Sequence, residues 1–246
     1  MKNNIQILQS YSNTFRDLIN DKNLGTKDTI KGALRLNKEE DWSFIWTSMD
    51  IVDDASLALE SFLKFGLDGP ARYNDVGEKY LRLYGILNAS YIQQQAIITL
   101  YKLNNVPDPR EAFEKIKALK IREIRHKIAS HPCDYVSAGQ KDKLESYVPV
   151  RLYLSEFNIG FVKGEKIEIE TVSLKDYIEE HIELMVIFMD KIIEKSIITF
   201  FQGNQKKLAE FNEKLRELRI ERDGGIIIKT EDGETSIVIM GHRQNN

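Results

Sequence analysis

Arg125 and His131 bracket the stretch Arg125-His126-Lys127-Ile128-Ala129-Ser130-His131, and their types suit chemistry on a phosphate. An arginine stays cationic and holds phosphate oxygens through two parallel hydrogen bonds. A histidine, with an ordinary pKa of about 6.5, takes and returns a proton near neutral pH. His126 directly follows the arginine and is placed to assist or orient that transfer. Between residues 110 and 127 seven lysines and arginines face three glutamates. Lys120, Arg122 and Lys127 are the members of this run nearest the pair, and are the candidate contacts for a nucleic-acid backbone. The competing reading is a solvated helix whose positive charge gathers at its C-terminal end, where the dipole favours it. Arg125 and His131 would then satisfy the last helix carbonyls.

The element that positions these residues is predicted as one helix over 108–130. Asp108 is its N-cap, Pro109 its first helical residue and Glu111 the partner of a capping box. Phe113, Ile116, Ile121, Ile124 and Ile128 supply an apolar period. Pro132 lacks an N–H and bars residue 131 from the α region, so the helix ends near His131. Six steps of unbroken helix separate Arg125 and His131 by roughly 120° around the axis. They converge if the chain leaves the helix at His131, or if a second subunit supplies one of them.

The rest of the chain reads as helical scaffold with a little β structure. Ile5, Leu8, Phe15, Leu18 and Ile19 pattern a first helix, and residues 21–38, with Gly25 and Gly32, form a connector. From Glu39 an apolar stripe runs through Trp42, Ile45, Trp46, Met49, Val52, Leu59 and Leu63 until Gly66–Pro70 ends it. A helix over 72–103 carries Tyr80, Tyr84, Leu87, Tyr91, Ile98 and Tyr101, a stripe that reads as core or interface. Gln93-Gln94-Gln95 interrupts it and reads as an exposed turn with one glutamine facing a neighbour. Strands are expected at 150–155, 159–163 and 166–172, with a turn at Lys163-Gly164-Glu165. Ser173 and Asp176 then open a long helix to about Phe201, which Gly203-Asn204 breaks. Leu208, Phe211, Leu215 and Leu218 pattern a further helix, and a hairpin follows around Glu231-Asp232-Gly233-Glu234.

Composition narrows the function classes. With 246 residues and 42% hydrophobic content the chain can bury a substantial core. A net charge of −3 gives no global attraction to nucleic acid, so any such binding uses a local patch. One cysteine, Cys133, excludes an intrachain disulfide, and no long apolar run occurs, so the chain reads as cytoplasmic and not membrane-spanning. His181 lies among Glu179, Glu180 and Glu183, but no second histidine sits one helical turn away, and a metal site there is discounted. No phosphate-cradling glycine loop or zinc-ligand spacing is present, so no cofactor is expected.

Arg125, five intervening residues and His131 resemble the Arg-x(4–6)-His signature of the HEPN superfamily, with His126 as the polar residue that often follows the arginine. The resemblance covers about residues 40–200, matched residue by residue at the motif alone. It implies an antiparallel helical bundle over 39–202, and with the strand patterns above the chain reads as a mainly α fold with a β hairpin or meander inserted at about 148–172. Residues 1–38 would then be an N-terminal helix and connector, and 203–246 a C-terminal helix with a β hairpin. The family implies a metal-independent endoribonuclease in which two protomers of a homodimer combine their motifs, in a toxin or phage-defence role. RNA is the implied substrate, and an antitoxin or another protein a further partner. The alternative is a non-catalytic helical dimer or adaptor that binds RNA or protein.

Overall fold

Asn3 starts the first helix by accepting a hydrogen bond from the Gln6 backbone while the Gln6 side chain accepts one from Asn3. From this cap the computed structural model describes residues 3–71, 74–136, 144–164, 166–229 and 235–239. Among them the chain is mainly helical, with small antiparallel sheets. It divides into two compact units, one of residues 1–53, 96–109 and 185–246, the other of residues 54–95 and 110–184.

The first unit holds α1 (Asn4–Ile19), α2 (Lys27–Ala33) and the opening of α3 (Asp41–Phe65). It also takes the ends of α4 (Val76–Leu103) and α7 (Leu174–Phe201), and all of α8 (Gln205–Arg222). In α1 the expected period buries Ile5, Leu8, Phe15, Leu18 and Ile19, and Tyr11 is buried with them. The break after α7 falls where Gly203 and Asn204 place it, because Asn204 turns out of the helix and accepts the Lys207 N–H. Phe211, Leu215 and Leu218 of α8 are buried, and Phe211 stacks on Phe201 at 5.1 Å. The C-terminal strands β6 (Gly225–Lys229) and β7 (Thr235–Ile239) pair antiparallel, and the turn expected at 231–234 lies outside the described residues.

The second unit carries the motif. Its segment 108–130 is not one helix. α5 (Pro109–Lys117) stops, Leu119 is extended, and α6 (Lys120–Arg125) restarts, followed by a π-helical turn over His126–Ser130. The reason lies in the apolar spacing. Ile116 and Ile121 are five residues apart, which a continuous helix would turn to different faces. The extended Leu119 resets the phase, so Ile116, Leu119, Ile121, Ile124 and Ile128 all point inward. Asp108 has φ 55°, outside the extended conformation of an N-cap.

A short pair β1 (Tyr135–Val136) and β2 (Leu144–Glu145) follows, then the antiparallel sheet β3 (Tyr147–Pro149), β4 (Asn158–Lys163) and β5 (Lys166–Ser173), with β4 central. Tyr147 and Phe161 are buried and their rings meet edge-on. The strand expected over 150–155 does not form: β3 ends at Pro149 and Arg151–Tyr153 is a 3-10 turn. α4 holds this corner, since the Tyr80 hydroxyl donates to the Pro149 carbonyl and the Lys79 ammonium to that of Leu154. Tyr153 folds so close over Gly160 that a Cβ there would lie 2.6 Å from its own. α7 opens as expected, with Ser173 Oγ accepting the Asp176 N–H.

Candidate active site

The π turn decides how the motif residues meet. Pro132 cannot continue the helix, and the His131 N–H reaches back five residues to the His126 carbonyl at 2.9 Å. A turn closed over five residues brings positions 126 and 131 back over one another, where α spacing would leave them roughly 140° apart. The two imidazoles accordingly lie parallel, with centroids 6.0 Å apart and planes 12° from coincidence. His131 Nδ1 is 3.3 Å from a carboxylate oxygen of Asp134, which orients the exposed ring. His126 is half-buried. Burial first, then the charges of Arg122 and Arg125 and the neighbouring His131, hold its pKa below the usual histidine value.

Arg125 lies flat on α4: its guanidinium carbon is 3.7 Å from the centroid of Tyr91. Arg122 shares the same ring at 5.0 Å. Two like charges around one aromatic ring are held by its negative π surface. Burial and the Arg122 charge draw the Arg125 pKa below its ordinary value, while Tyr91 opposes them. Arg122 is also anchored, donating from Nη1 to Gln94 Oε1 at 3.1 Å.

Behind Arg122 lies a polar chain in the core. Gln93, Gln94 and His181 are each fully buried. His181 Nδ1 is 3.4 Å from Gln94 Nε2, and its Nε2 is 2.8 Å from Gln93 Oε1. Gln93 Nε2 donates in turn to Ser56 Oγ at 3.0 Å. Burial alone pushes the His181 pKa down to about 3, so the ring is neutral. The glutamine run is therefore no exposed turn, and His181 faces amides while Glu179, Glu180 and Glu183 are exposed on its helix. Among the described residues no group of three or more histidine, cysteine and acidic side chains could hold a metal ion.

The remaining basic residues divide. Lys127 is turned inward: its side chain is 11% exposed, its ammonium pairs with Glu123 at 2.8 Å and lies 5.2–6.0 Å from the rings of Tyr135, Tyr147 and Phe161. Burial lowers its pKa, but the Glu123 carboxylate outweighs that and raises it above the usual lysine value. Lys120 stays exposed, 3.3 Å from Glu123. Ser130 Oγ, inside the π turn, is buried with no hydrogen-bond partner among the described residues. Cys133, next to the motif, is exposed.

The structure thus pairs His126 with His131, sets the charges of Arg122 and Arg125 near His126, and turns Lys127 away. Tyr91, Gln94, His181 and Asp134 join the site without having been singled out for it. A signal for the buried pair was present. Gln93 and Gln94 fall in phase with Leu83, Ile86, Leu87 and Ser90 on the inward stripe of α4, and His181 with Leu174, Ile178 and Ile182 on α7. Polar residues on two inward stripes must find partners, and these find each other. Comparison with known protein families, with curated proteins and with solved structures found no match. The chemistry of the site therefore rests on its geometry and on the motif.

Proposed function

We propose that the chain is a metal-independent endoribonuclease of HEPN type, acting on RNA through Arg125, His126 and His131 in a homodimer, in a toxin or phage-defence role. The observation that carries this reading is the parallel imidazole pair, 6.0 Å apart, together with two guanidinium groups on one tyrosine whose charges act on His126. RNA brings its own nucleophile. His126, held neutral at physiological pH by burial and the adjacent arginines, takes the proton of the 2′-hydroxyl as its oxygen bonds to phosphorus. The bond from phosphorus to the 5′-oxygen breaks, and His131, with Nδ1 directed to Asp134, returns a proton to that oxygen from Nε2. Arg125 and Arg122 hold the non-bridging oxygens as their negative charge grows. The products are a 2′,3′-cyclic phosphate and a 5′-hydroxyl, and the chain's own groups supply each proton and charge the step needs.

Cleavage is expected to persist in excess EDTA and to leave DNA intact. His131→Ala should lower the rate roughly 10²–10⁴-fold with RNA affinity little changed, and Arg125→Ala should lower both. Parent-like cleavage by both variants, folded and dimeric, overturns the reading. A parent that sediments as a monomer at micromolar concentration removes its dimeric form. The second reading, a non-catalytic adaptor, draws on exposed apolar residues of the second unit, Leu152 at 91% and Val148 at 59%. It prevails if the parent binds RNA or protein without cleaving.

A further inference from the structure

We propose that the buried chain Gln93–His181–Gln94 is a positioning device for Arg122, which it fixes as the second phosphate-holding cation of the site. The proposal rests on the ribonuclease reading for its kinetic consequence, and on geometry for the rest.

The hydrogen bonds run in one direction. Arg122 Nη1 donates to Gln94 Oε1, which leaves Gln94 Nε2 to donate to His181 Nδ1. His181 Nε2–H donates to Gln93 Oε1, and Gln93 Nε2 donates to Ser56 Oγ. A neutral imidazole has one donor and one acceptor nitrogen. The tautomer with the proton on Nε2 is the one that fits, and it dictates which way the Gln94 amide faces. With the proton on Nδ1, or with both nitrogens protonated, the ring would oppose the amide NH2. Gln94 would have to flip, and its NH2 would then confront the Arg122 guanidinium, donor against donor.

A buried polar chain of this kind is not required for stability. Apolar side chains of the same volume are often as good, because a buried amide gains little net energy even when satisfied. What these residues do that leucines cannot is present a carbonyl oxygen to a cation. Arg122 needs one: Arg125 lies on the same Tyr91 ring at shorter range, and the like charge pushes Arg122 away. Gln94 holds one arm of the guanidinium fork and leaves the opposite edge to face a phosphate. Gln94 and His181 act through Arg122 and are positioning residues.

The test has a spectroscopic and a kinetic arm. By 15N NMR the parent should show His181 protonated on Nε2 and the Arg122 side-chain N–H groups exchanging slowly. Gln94→Met and His181→Leu should make the Arg122 groups exchange fast. His181→Asn, whose Oδ1 takes the place of the acceptor Nδ1, should keep them slow and serves where the leucine variant fails to fold. Kinetically, Gln94→Met should lower kcat about 10- to 100-fold with KM little changed, the scale of a misplaced group. In an Arg122→Ala background the same substitution should have no further effect. An Arg122 signal unmoved by Gln94→Met, or a full kinetic effect persisting without Arg122, overturns the proposal. If the parent cleaves no RNA, the ribonuclease reading fails alone, and the NMR arm still decides the positioning.

Discussion

Each unit buries a network of several polar side chains, and the two networks are built from opposite materials. In the first, Asp190 on α7 accepts the Tyr11 hydroxyl at 3.0 Å, two bonds from Arg219 at 2.6 and 2.8 Å, and one from Arg222 at 3.4 Å. The members are ionised or strongly polarised: burial and Asp190 push the Tyr11 hydroxyl well above its usual range, and the Asp190 carboxylate raises Arg219. In the second, the chain from Ser56 through Gln93, His181 and Gln94 is neutral throughout. The ionic centre joins α1, α7 and α8, and its arginines end on the exposed carboxylates of Glu194 and Asp223. The neutral chain ends on Arg122 at the candidate site. Ion pairs suit a clamp because Coulomb attraction depends mainly on distance. Amides and a single-tautomer histidine suit positioning because each donor and acceptor fixes the next.

The largest expected effect tests the clamp. Asp190→Ala removes the acceptor shared by two arginines and a buried hydroxyl, and should destabilise the protein by about 3 kcal/mol, the low end for a broken buried pair because both arginines are about one-third exposed and keep Glu194 and Asp223 as partners. Urea denaturation measures it, and RNA cleavage per folded molecule should be unchanged. A smaller loss than that of His181→Leu would reverse the ranking of the two centres.

His181→Leu leaves Gln93 and Gln94 each short of a partner, and should cost about 2 kcal/mol. Its pH signature is more specific. The folded ring refuses a proton down to about pH 3, whereas an unfolded histidine binds one near 6.5. In that window the unfolded state holds the extra proton, so stability falls as pH falls, by up to about 1.4 kcal/mol per unit. His181→Leu and His181→Asn should flatten the slope of unfolding free energy between pH 6 and 4. The residual slope contains the His126 contribution, of the same sign, since its pKa is also depressed. A parent-like slope in both variants would mean that the buried ring is not what resists the proton.

Much of this was legible in the residues. α1, α3, α7 and α8 follow from long apolar periods, and Ser173, Gly203 and Asn204 mark ends that local chemistry sets. Arg125, His126 and His131 stood out by type and spacing. Two things were hidden because they depend on tertiary demands. The break at Leu119 arises where a core needs two isoleucine runs in one phase, and capping residues at 108–111 cannot reveal it. The π turn arises where Pro132 denies the helix its next donor, and it, rather than α spacing, pairs the imidazoles. The composition of the Gln93–Gln94 stretch suits a surface, whereas its phase on α4 places it inside. The corner at 151–153 escaped for a related reason: bonds from Tyr80 and Lys79, distant in sequence, bend a stretch that locally favours a strand.

The smallest effect carries the same contrast to the basic segment, where two lysines share one glutamate. Lys127 meets Glu123 from inside an aromatic cage, and Lys120 meets it from solvent with a side chain 58% exposed. Lys127→Ala loses a desolvated ion pair and the packing of its stem, and should cost about 1–2 kcal/mol. Lys120→Ala should cost less than about 0.5 kcal/mol, as exposed pairs do. Their effects on RNA should run the other way. A lysine that neutralises a phosphate releases a counterion, so its loss reduces the slope of log affinity against log salt by about 0.7 for single strands. Lys120→Ala should show that reduction, and Lys127→Ala, whose charge is spent on Glu123 and three rings, should leave the slope unchanged. A slope altered by Lys127→Ala at unchanged stability would mean that the caged lysine turns outward to the RNA, and that the segment does not divide into inward and outward charges.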